Sequence, residues 1–140
     1  FVLPSDESGI YYSRQEQPNK KPFLGLFGGR MEHGEEPLEA VQRELLEESG
    51  LVSDDWQMLA SFQPVGKIDW TVYFFIARKC RKVAEQHLDA GEKIEIVKTS
   101  VDDFLTNVVA HPDFREMELK NMIFSAFNPT QANELKALLS

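Results

Sequence analysis

The sequence predicts an α/β domain in which helices cover both faces of a mixed β-sheet. Three observations point there. Runs rich in β-branched and aromatic residues alternate with runs of helical periodicity along the whole chain. The 140 residues suffice for one domain with a real core, and no repeat, low-complexity tract or linker divides residues 1–140. Hydrophobic content of 42% beside 27% charged residues is that of an ordinary globular chain.

The elements follow in order. "GIYYSRQEQ" (9–17) has strand-forming residues and is followed by the turn-rich "PNKKP" (18–22). "FLGLFGG" (23–29) is apolar and Gly-rich, a strand running into a loop. Gly34 and Pro37 mark a helix start, Pro37 falling in the first turn where its missing N–H costs nothing. That helix runs to about Ser49, and Gly50 supplies the stop. "WQMLASFQP" (56–64), "WTVYFFIARKC" (70–80) and "EKIEIVKTS" (92–100) read as strands. Ser100 caps a helix over 100–110, with Asp102 and Asp103 in its first turn. Two more helices are predicted over 115–127 and 130–140.

Composition excludes several functions. A net charge of −8 argues against binding a nucleic-acid duplex, which needs a basic surface. No stretch approaches the roughly 18 apolar residues of a membrane span. The start "FVLPSDESG" lacks the basic region before an apolar core that marks a signal peptide. Cys80 is the only cysteine, so neither an intrachain disulfide nor a thiolate zinc cluster can form; this suits a cytoplasmic protein. Any phosphate-ester substrate requires a local offset to the acidic field, from a divalent cation or from nearby Arg and Lys.

The acidic helix is the most informative stretch. Seven glutamates fall within residues 28–51, three of them at 44, 47 and 48. On a helical wheel Leu38, Val41 and Leu45 make an apolar stripe, and the three glutamates share the adjoining arc at the border of the buried face. A solvated acidic face would carry Lys or Arg four residues on, yet Glu44 is followed at that spacing by Glu48. Hard divalent cations prefer carboxylate and carbonyl oxygens, and the Gly-rich loop lies just ahead. Bound Mg²⁺ or Mn²⁺ would turn the repulsion into coordination.

These residues resemble a known family. Gly29, Glu35, Arg43-Glu44-Leu45, Glu47-Glu48 and Gly50-Leu51 match, without deviation, the Nudix box G-x5-E-x7-R-E-U-x-E-E-x-G-U, with U aliphatic. A chance match of its seven fixed positions is on the order of one window in a billion. The resemblance implies a Nudix-type α/β/α sandwich around a mixed sheet and hydrolysis of a nucleoside diphosphate linked to a further moiety X, with Mg²⁺ or Mn²⁺. It implies that Glu44, Glu47 and Glu48 ligate metal with the backbone carbonyl of Gly28, and that Glu35 and Arg43 brace them. Many members carry Pro before the paired glycines, where this chain has Phe27. Members differ on the general base, some using a box Glu and others a carboxylate from a separate loop. Glu44 and Glu47 are the box candidates here, and Glu92, in "HLDAGEKIEI" (87–96), is the loop candidate.

The box does not choose X. Pro64, "FQPVGKIDWTVYFFIA" (62–77) and "GEKIEIVKTSVDDFL" (91–105) look like the ADP-ribose and sugar-nucleotide branch. Arg14 is a candidate for meeting a substrate phosphate. A hydrolase of (d)NTPs or dinucleoside polyphosphates, whose longer charged chain calls for a dense basic cluster such as "ARKCRKV" (77–83), is the alternative within the family. A nucleotide-sensing domain without catalysis is the alternative from another class, though the complete glutamate set stands against it. The apolar segment "MIFSAF" (122–127) offers a surface for a homodimer.

Overall fold

In a computed structural model, residues 1–124 and 129–140 are described. The strands are β1 (Val2–Asp6), β2 (Gly9–Glu16), β3 (Phe23–Gly25), β4 (Leu51–Val52), β5 (Asp55–Phe62), β6 (Val72–Arg78), β7 (Arg81–Lys82) and β8 (Lys93–Thr99). The helices are α1 (Pro37–Ser49), α2 (Val101–Asp103), α3 (Met117–Phe124) and α4 (Pro129–Leu139), and a π-helical turn, Phe104–Val108, continues α2. The main sheet has six strands in the order β3-β2-β1-β6-β5, with β8 also paired to β2; β4 and β7 form a separate small ladder. The β1–β6 pair is parallel and the other ladders are antiparallel, so the sheet is mixed as expected.

Two apolar layers follow from strand alternation. In β6, Phe74 and Ile76 face a cluster containing Phe104, Val108, Phe114 and Leu119. Phe75 and Ala77 face the opposite cluster, with Val41 and Leu45 of α1. A central strand buried on both faces reads as the continuous apolar run "VYFFIA". The layers are thus α1 on one face and the later helical segments on the other.

β1 and the two-residue strands β4 and β7 are missing from the sequence reading, and for β1 Pro4 is why. Proline is rare inside sheets because it cannot donate to a ladder. Here the carbonyls of Phe1 and Ser5 accept from Phe75 and Cys80 on the β6 side, while the Val2 N–H points the other way, to Phe27. By alternation the Pro4 nitrogen faces that second side, where β1 and β2 have diverged. They pair only at Ser5–Ile10 and Asp6–Gly9. Beyond that, residues 25–27 wedge between them: Gly25 pairs with Ser13 of β2, and Phe27 bridges to Val2 of β1. The sheet forks there, and the glycine loop leaves from the fork.

Other boundaries move by one or two residues. Trp70 lies outside β6 and is 51% exposed. Cys80 follows β6, buried, as a small residue beside the strand end. Ser100 does cap α2, its Oγ accepting from Asp103 N at 3.1 Å. Leu38 departs from the expected apolar stripe. The buried face of α1 is Ala40, Val41, Leu45, Glu48 and Ser49, whereas Leu38 stays exposed beside a loop that is itself exposed at residues 30–34. The expected helix over 115–127 and the "MIFSAF" surface fall partly on residues 125–128, outside the described residues. Among the described residues no helix is long and apolar enough to cross a membrane.

Candidate active site

The fork creates a hydrogen-bonding problem that buried polar side chains solve. Leu26 sits where the chain crosses from β2 to β1, so no ladder serves its backbone. Its N–H donates to Glu116 Oε2 at 3.0 Å, and Gln15 Nε2 approaches its carbonyl at 3.4 Å. Ser13 Oγ donates to the Gly25 carbonyl at 2.9 Å and accepts from Gln15 Nε2 at 2.8 Å. Ser13, Gln15 and Glu116 are all buried. Burial raises the pKa of Glu116, and the Arg115 guanidinium and the Leu26 N–H oppose that rise. Burying a carboxylate is costly unless it is paired and bonded, and this one is both.

Two residues on, Gly28 N–H donates to Glu48 Oε2 at 2.8 Å, joining the loop to α1. The backbone of Gly28 has φ +147°, and a Cβ there would lie 2.8 Å from Phe1 Cα. A Cβ on Gly29 would lie 2.5 Å from Glu44 Oε1. The Glu44 carboxylate therefore lies flat against the Gly29 backbone, which is the physical reason that position carries no side chain. Phe27, in the place where many family members have Pro, is fully buried against α1 and anchors the loop by packing.

Arg43 organises the carboxylates. Its Nε and Nη2 donate to the two oxygens of Glu35 at 2.7 and 3.1 Å, a bidentate pair. Its Nη1 reaches Glu44 Oε1 at 3.0 Å and Glu47 Oε2 at 3.3 Å, and Nη2 also donates to the Arg30 carbonyl at 3.2 Å. The Arg43 bond holds the Glu35 carboxyl below its ordinary range. Glu44 is raised, first by burial and then by the charges of Glu47 and Glu92, with Arg43 opposing. Glu48 is pushed up to about 8 by burial, with Glu44 and Glu92 adding to it and the Gly28 N–H and Arg115 opposing. The charge of Glu92 thus reaches both Glu44 and Glu48.

The loop carrying Glu92 is fastened to the C-terminal end of α1, whose last carbonyls have no intrahelical donor. His87 N–H donates to the Glu47 carbonyl at 2.7 Å and Val83 N–H to the Gly50 carbonyl at 2.9 Å. Gln86 Nε2 donates at 2.8 Å to the carbonyl of Glu48 and at 2.8 Å to that of Ile94 in β8. Glu92 Oε2 accepts from Asp89 N–H at 3.3 Å.

The donor chemistry fits a hard divalent cation: carboxylate oxygens, a nearby loop carbonyl, and one carboxylate whose high pKa a cation would lower. As they lie, no three His, Cys, Asp or Glu side chains among the described residues are gathered closely enough to grip an ion. Glu44 and Glu47 turn toward Arg43 and Glu48 toward Gly28, so ligation requires these side chains to swing inward.

A groove of about 850 Å³ opens beside this edge on the sheet. Glu92, Gln86, Arg14, Phe23, Asp103, Asn107 and His111 line it. Arg14 lines the groove, 55% exposed and 3.7 Å from Glu95. The basic residues of 77–83 do not line it. Arg78 is paired with Asp55, Arg81 with Asp54 and Lys82 with Glu85. Pro64 lies in an exposed loop away from the groove. Sequence reasoning missed Ser13, Gln15, Gln86, Arg115 and Glu116, because ordinary polar residues on a strand, a loop and a helix approach carry no local pattern.

The family model of the NUDIX domain matches residues 1–117. The ADP-ribose pyrophosphatase of Bacillus subtilis (strain 168) is 29% identical over 104 residues, 72% of this chain and 56% of that protein. The methanol dehydrogenase activator of Bacillus methanolicus is 26% identical over 107 residues, 75% of this chain and 58% of that protein. The chain therefore spans less than two thirds of the length of these curated relatives. A crystal structure of an ADP compounds hydrolase superposes with a TM-score of 0.71 at 20% identity, covering 93% of this chain and 72% of the other. A structure from a study of MutT from Aliivibrio salmonicida and Vibrio cholerae gives a TM-score of 0.56 at 22% identity, covering 94% and 92%. At such identities these likenesses speak for the fold alone.

Proposed function

Since the chain belongs to the NUDIX domain family, whose hydrolases generally use divalent metal ions, we propose that it is a metal-dependent pyrophosphohydrolase of nucleoside diphosphate derivatives, acting on ADP-ribose or another sugar nucleotide. The observation that carries this reading is the Arg43-braced set of Glu35 and, on α1, Glu44 and Glu47, with Glu48 bonded to the Gly28 N–H, beside a loop whose Glu92 lines a groove of nucleotide size. Glu44, Glu47, Glu48 and the Gly28 carbonyl would hold Mg²⁺ or Mn²⁺. When bound, the ion supplies charge neutralisation at the diphosphate and acidifies water. Glu35 and Arg43 fix the orientation of Glu44 and Glu47. Glu92 accepts the proton of the attacking water, whose oxygen bonds to phosphorus as the bridging P–O bond breaks. The products are a nucleoside monophosphate and the phosphorylated X.

Two features favour a sugar nucleotide over a triphosphate. The basic 77–83 cluster lies away from the groove, and the cations lining the groove, Arg14 and Lys93, are each opposed by a glutamate. The similarity to an ADP-ribose pyrophosphatase agrees with this choice. The test is a panel of ADP-ribose, other sugar nucleotides, (d)NTPs and diadenosine polyphosphates, each with Mg²⁺, with Mn²⁺ and with chelator. AMP and ribose 5-phosphate from ADP-ribose, only with metal, is the expected result. A triphosphate preferred over every sugar nucleotide overturns the substrate; no hydrolysis at all favours a sensing domain.

A further inference from the structure

An anionic substrate entering this site meets four carboxylates, at positions 44, 47, 48 and 92, on a chain of net charge −8. Arg43 cannot greet it, since Nε, Nη1 and Nη2 are all engaged. Arg14 and Lys93 are loosely paired and largely exposed. Arg115 is different. Its Nε donates to Glu116 Oε1 at 2.9 Å, Nη2 makes an ion pair with the same oxygen at 2.8 Å, and that carboxylate is 1% exposed. Its guanidinium carbon lies 4.3 Å from the centroid of Phe23 and 5.4 Å from that of Phe1. A buried anion and two aromatic rings thus hold one flexible side chain in a single orientation. Nη1 has no protein partner among the described residues, and the side chain is 35% exposed.

Its position matters as much as its rigidity. Phe23, beneath the guanidinium, lines the groove. Glu116, beside it, bonds Leu26, two residues before the glycine that bonds Glu48. Phe1, whose ring also packs on the guanidinium, reaches the glycine loop, its Cα 2.8 Å from where a Cβ on Gly28 would lie. Arg115 therefore stands between the groove and the acidic helix edge, the two places that the ends of a nucleoside diphosphate derivative would occupy.

We propose that Arg115 is a substrate-binding residue whose free guanidinium edge takes a phosphoryl oxygen of the diphosphate, giving the site its affinity for the anion. This rests on the pyrophosphohydrolase reading above. Glu116 is its positioning residue, spending one oxygen on Arg115 and the other on the loop.

The test compares R115Q, R115K and the double variant R115Q/E116Q, which removes both charges of the buried pair together. Three quantities are read: KM and kcat for ADP-ribose with Mg²⁺, the Kd of its non-hydrolysable α,β-methylene analogue by calorimetry, and the Mn²⁺ affinity of the substrate-free protein. Loss of one charge-assisted contact predicts that KM and analogue Kd rise together by about 10- to 100-fold in the uncharged variants. A smaller rise is expected in R115K, with Mn²⁺ affinity within about twofold of wild type in the two single variants. If R115Q fails to fold, the double variant carries the same expectation. Unchanged KM and Kd in a folded uncharged variant overturn the proposal. If the wild-type protein cleaves no nucleoside diphosphate compound, the functional reading fails, and analogue binding still decides the role of Arg115.

Discussion

Two glycines with nearly the same backbone offer a controlled comparison. Gly34 and Gly50 have φ of +83° and +72°, both left-handed. Alanine in that region costs about 1–2 kcal/mol. Restricting the unfolded chain returns about 0.4–1 kcal/mol. Gly34→Ala should therefore destabilise by about 1 kcal/mol, since a Cβ there meets nothing within 4 Å. Gly50→Ala carries the same strain and something more. Its Cβ would lie 1.9 Å from the Ala84 carbonyl oxygen. The 83–87 segment must retreat by roughly 1 Å or more to reach van der Waals contact. That breaks the Val83–Gly50 bond and pulls Gln86 from the Glu48 carbonyl. At about 1 kcal/mol per lost bond, the total becomes about 3 kcal/mol. Urea unfolding followed by circular dichroism reads the difference: about 2 kcal/mol, or roughly 1 M between midpoints for a typical slope. Because the retreating segment belongs to the loop that carries Glu92, Gly50→Ala should also lose most of its turnover under native conditions, while Gly34→Ala keeps it within a few-fold. Equal midpoints, or a fully active Gly50→Ala, would refute the claim that this loop is clamped to the end of α1.

Further outcomes follow from the same contacts. Glu92→Gln should lower kcat by about 10²- to 10⁴-fold while Mn²⁺ affinity stays near wild type; near-wild-type turnover would remove Glu92 from the mechanism. Burial would raise the Asp6 carboxyl, but its bonds to Lys98 at 2.6 Å, Tyr11 and Ser8 hold it well below the usual carboxylate range. Its contribution to stability is thus complete above the unfolded pKa near 3.9 and is lost as pH falls through the lower folded value. The free-energy gap between wild type and Asp6→Asn, about 1–2 kcal/mol, should be flat from pH 5 to 7 and shrink below about pH 4; a gap that widens in acid would contradict the pairing. Burial pushes the Cys80 thiol up to about 11, so a thiol reagent at pH 8 should label it only after unfolding in guanidinium; rapid labelling of the native protein would show the site to be open.

The parts of the fold that were legible are those fixed by local chemistry. The α1 boundaries follow from Pro37 and Gly50, and the α2 start follows from Ser100. β5, β6 and β8 were read from their aromatic and β-branched runs, with ends shifting by a residue or two, whereas the two-residue β4 and β7 are too short to leave a pattern. β1 was illegible because Pro4 argues against a strand, and only the divergence of two distant strands makes it harmless. The π-helical turn at Phe104–Val108 left no signal, since its residues are compatible with an ordinary helix. In the site, charged residues at regular spacing could be found from one helix alone. Ser13, Gln15, Gln86 and Glu116 could not, because each answers a backbone group made needy by tertiary structure: a carbonyl or N–H at the fork, or a carbonyl at a helix end.

The signature is therefore a projection onto one segment of contacts made by four. Gly29 is bare because Glu44 lies against it, and Gly50 because the Ala84 carbonyl does. Arg43 is present because Glu35, Glu44 and Glu47 would otherwise repel one another beside a half-buried helix edge. Glu48 faces inward because the Gly28 N–H is there to meet it, and Gly28 is there because Glu116 and Gln15 hold the strand at the fork. A substitution at the fork should thus move the acidic edge of α1, and one at the helix end should move Glu92 together with the side of the groove that Gln86 and Glu92 line. Both sides meet at Glu48, the fork through its carboxylate and the 83–87 segment through its carbonyl. Activity changes from fork and helix-end variants should accordingly combine non-additively in free energy, as expected for sites that share a partner.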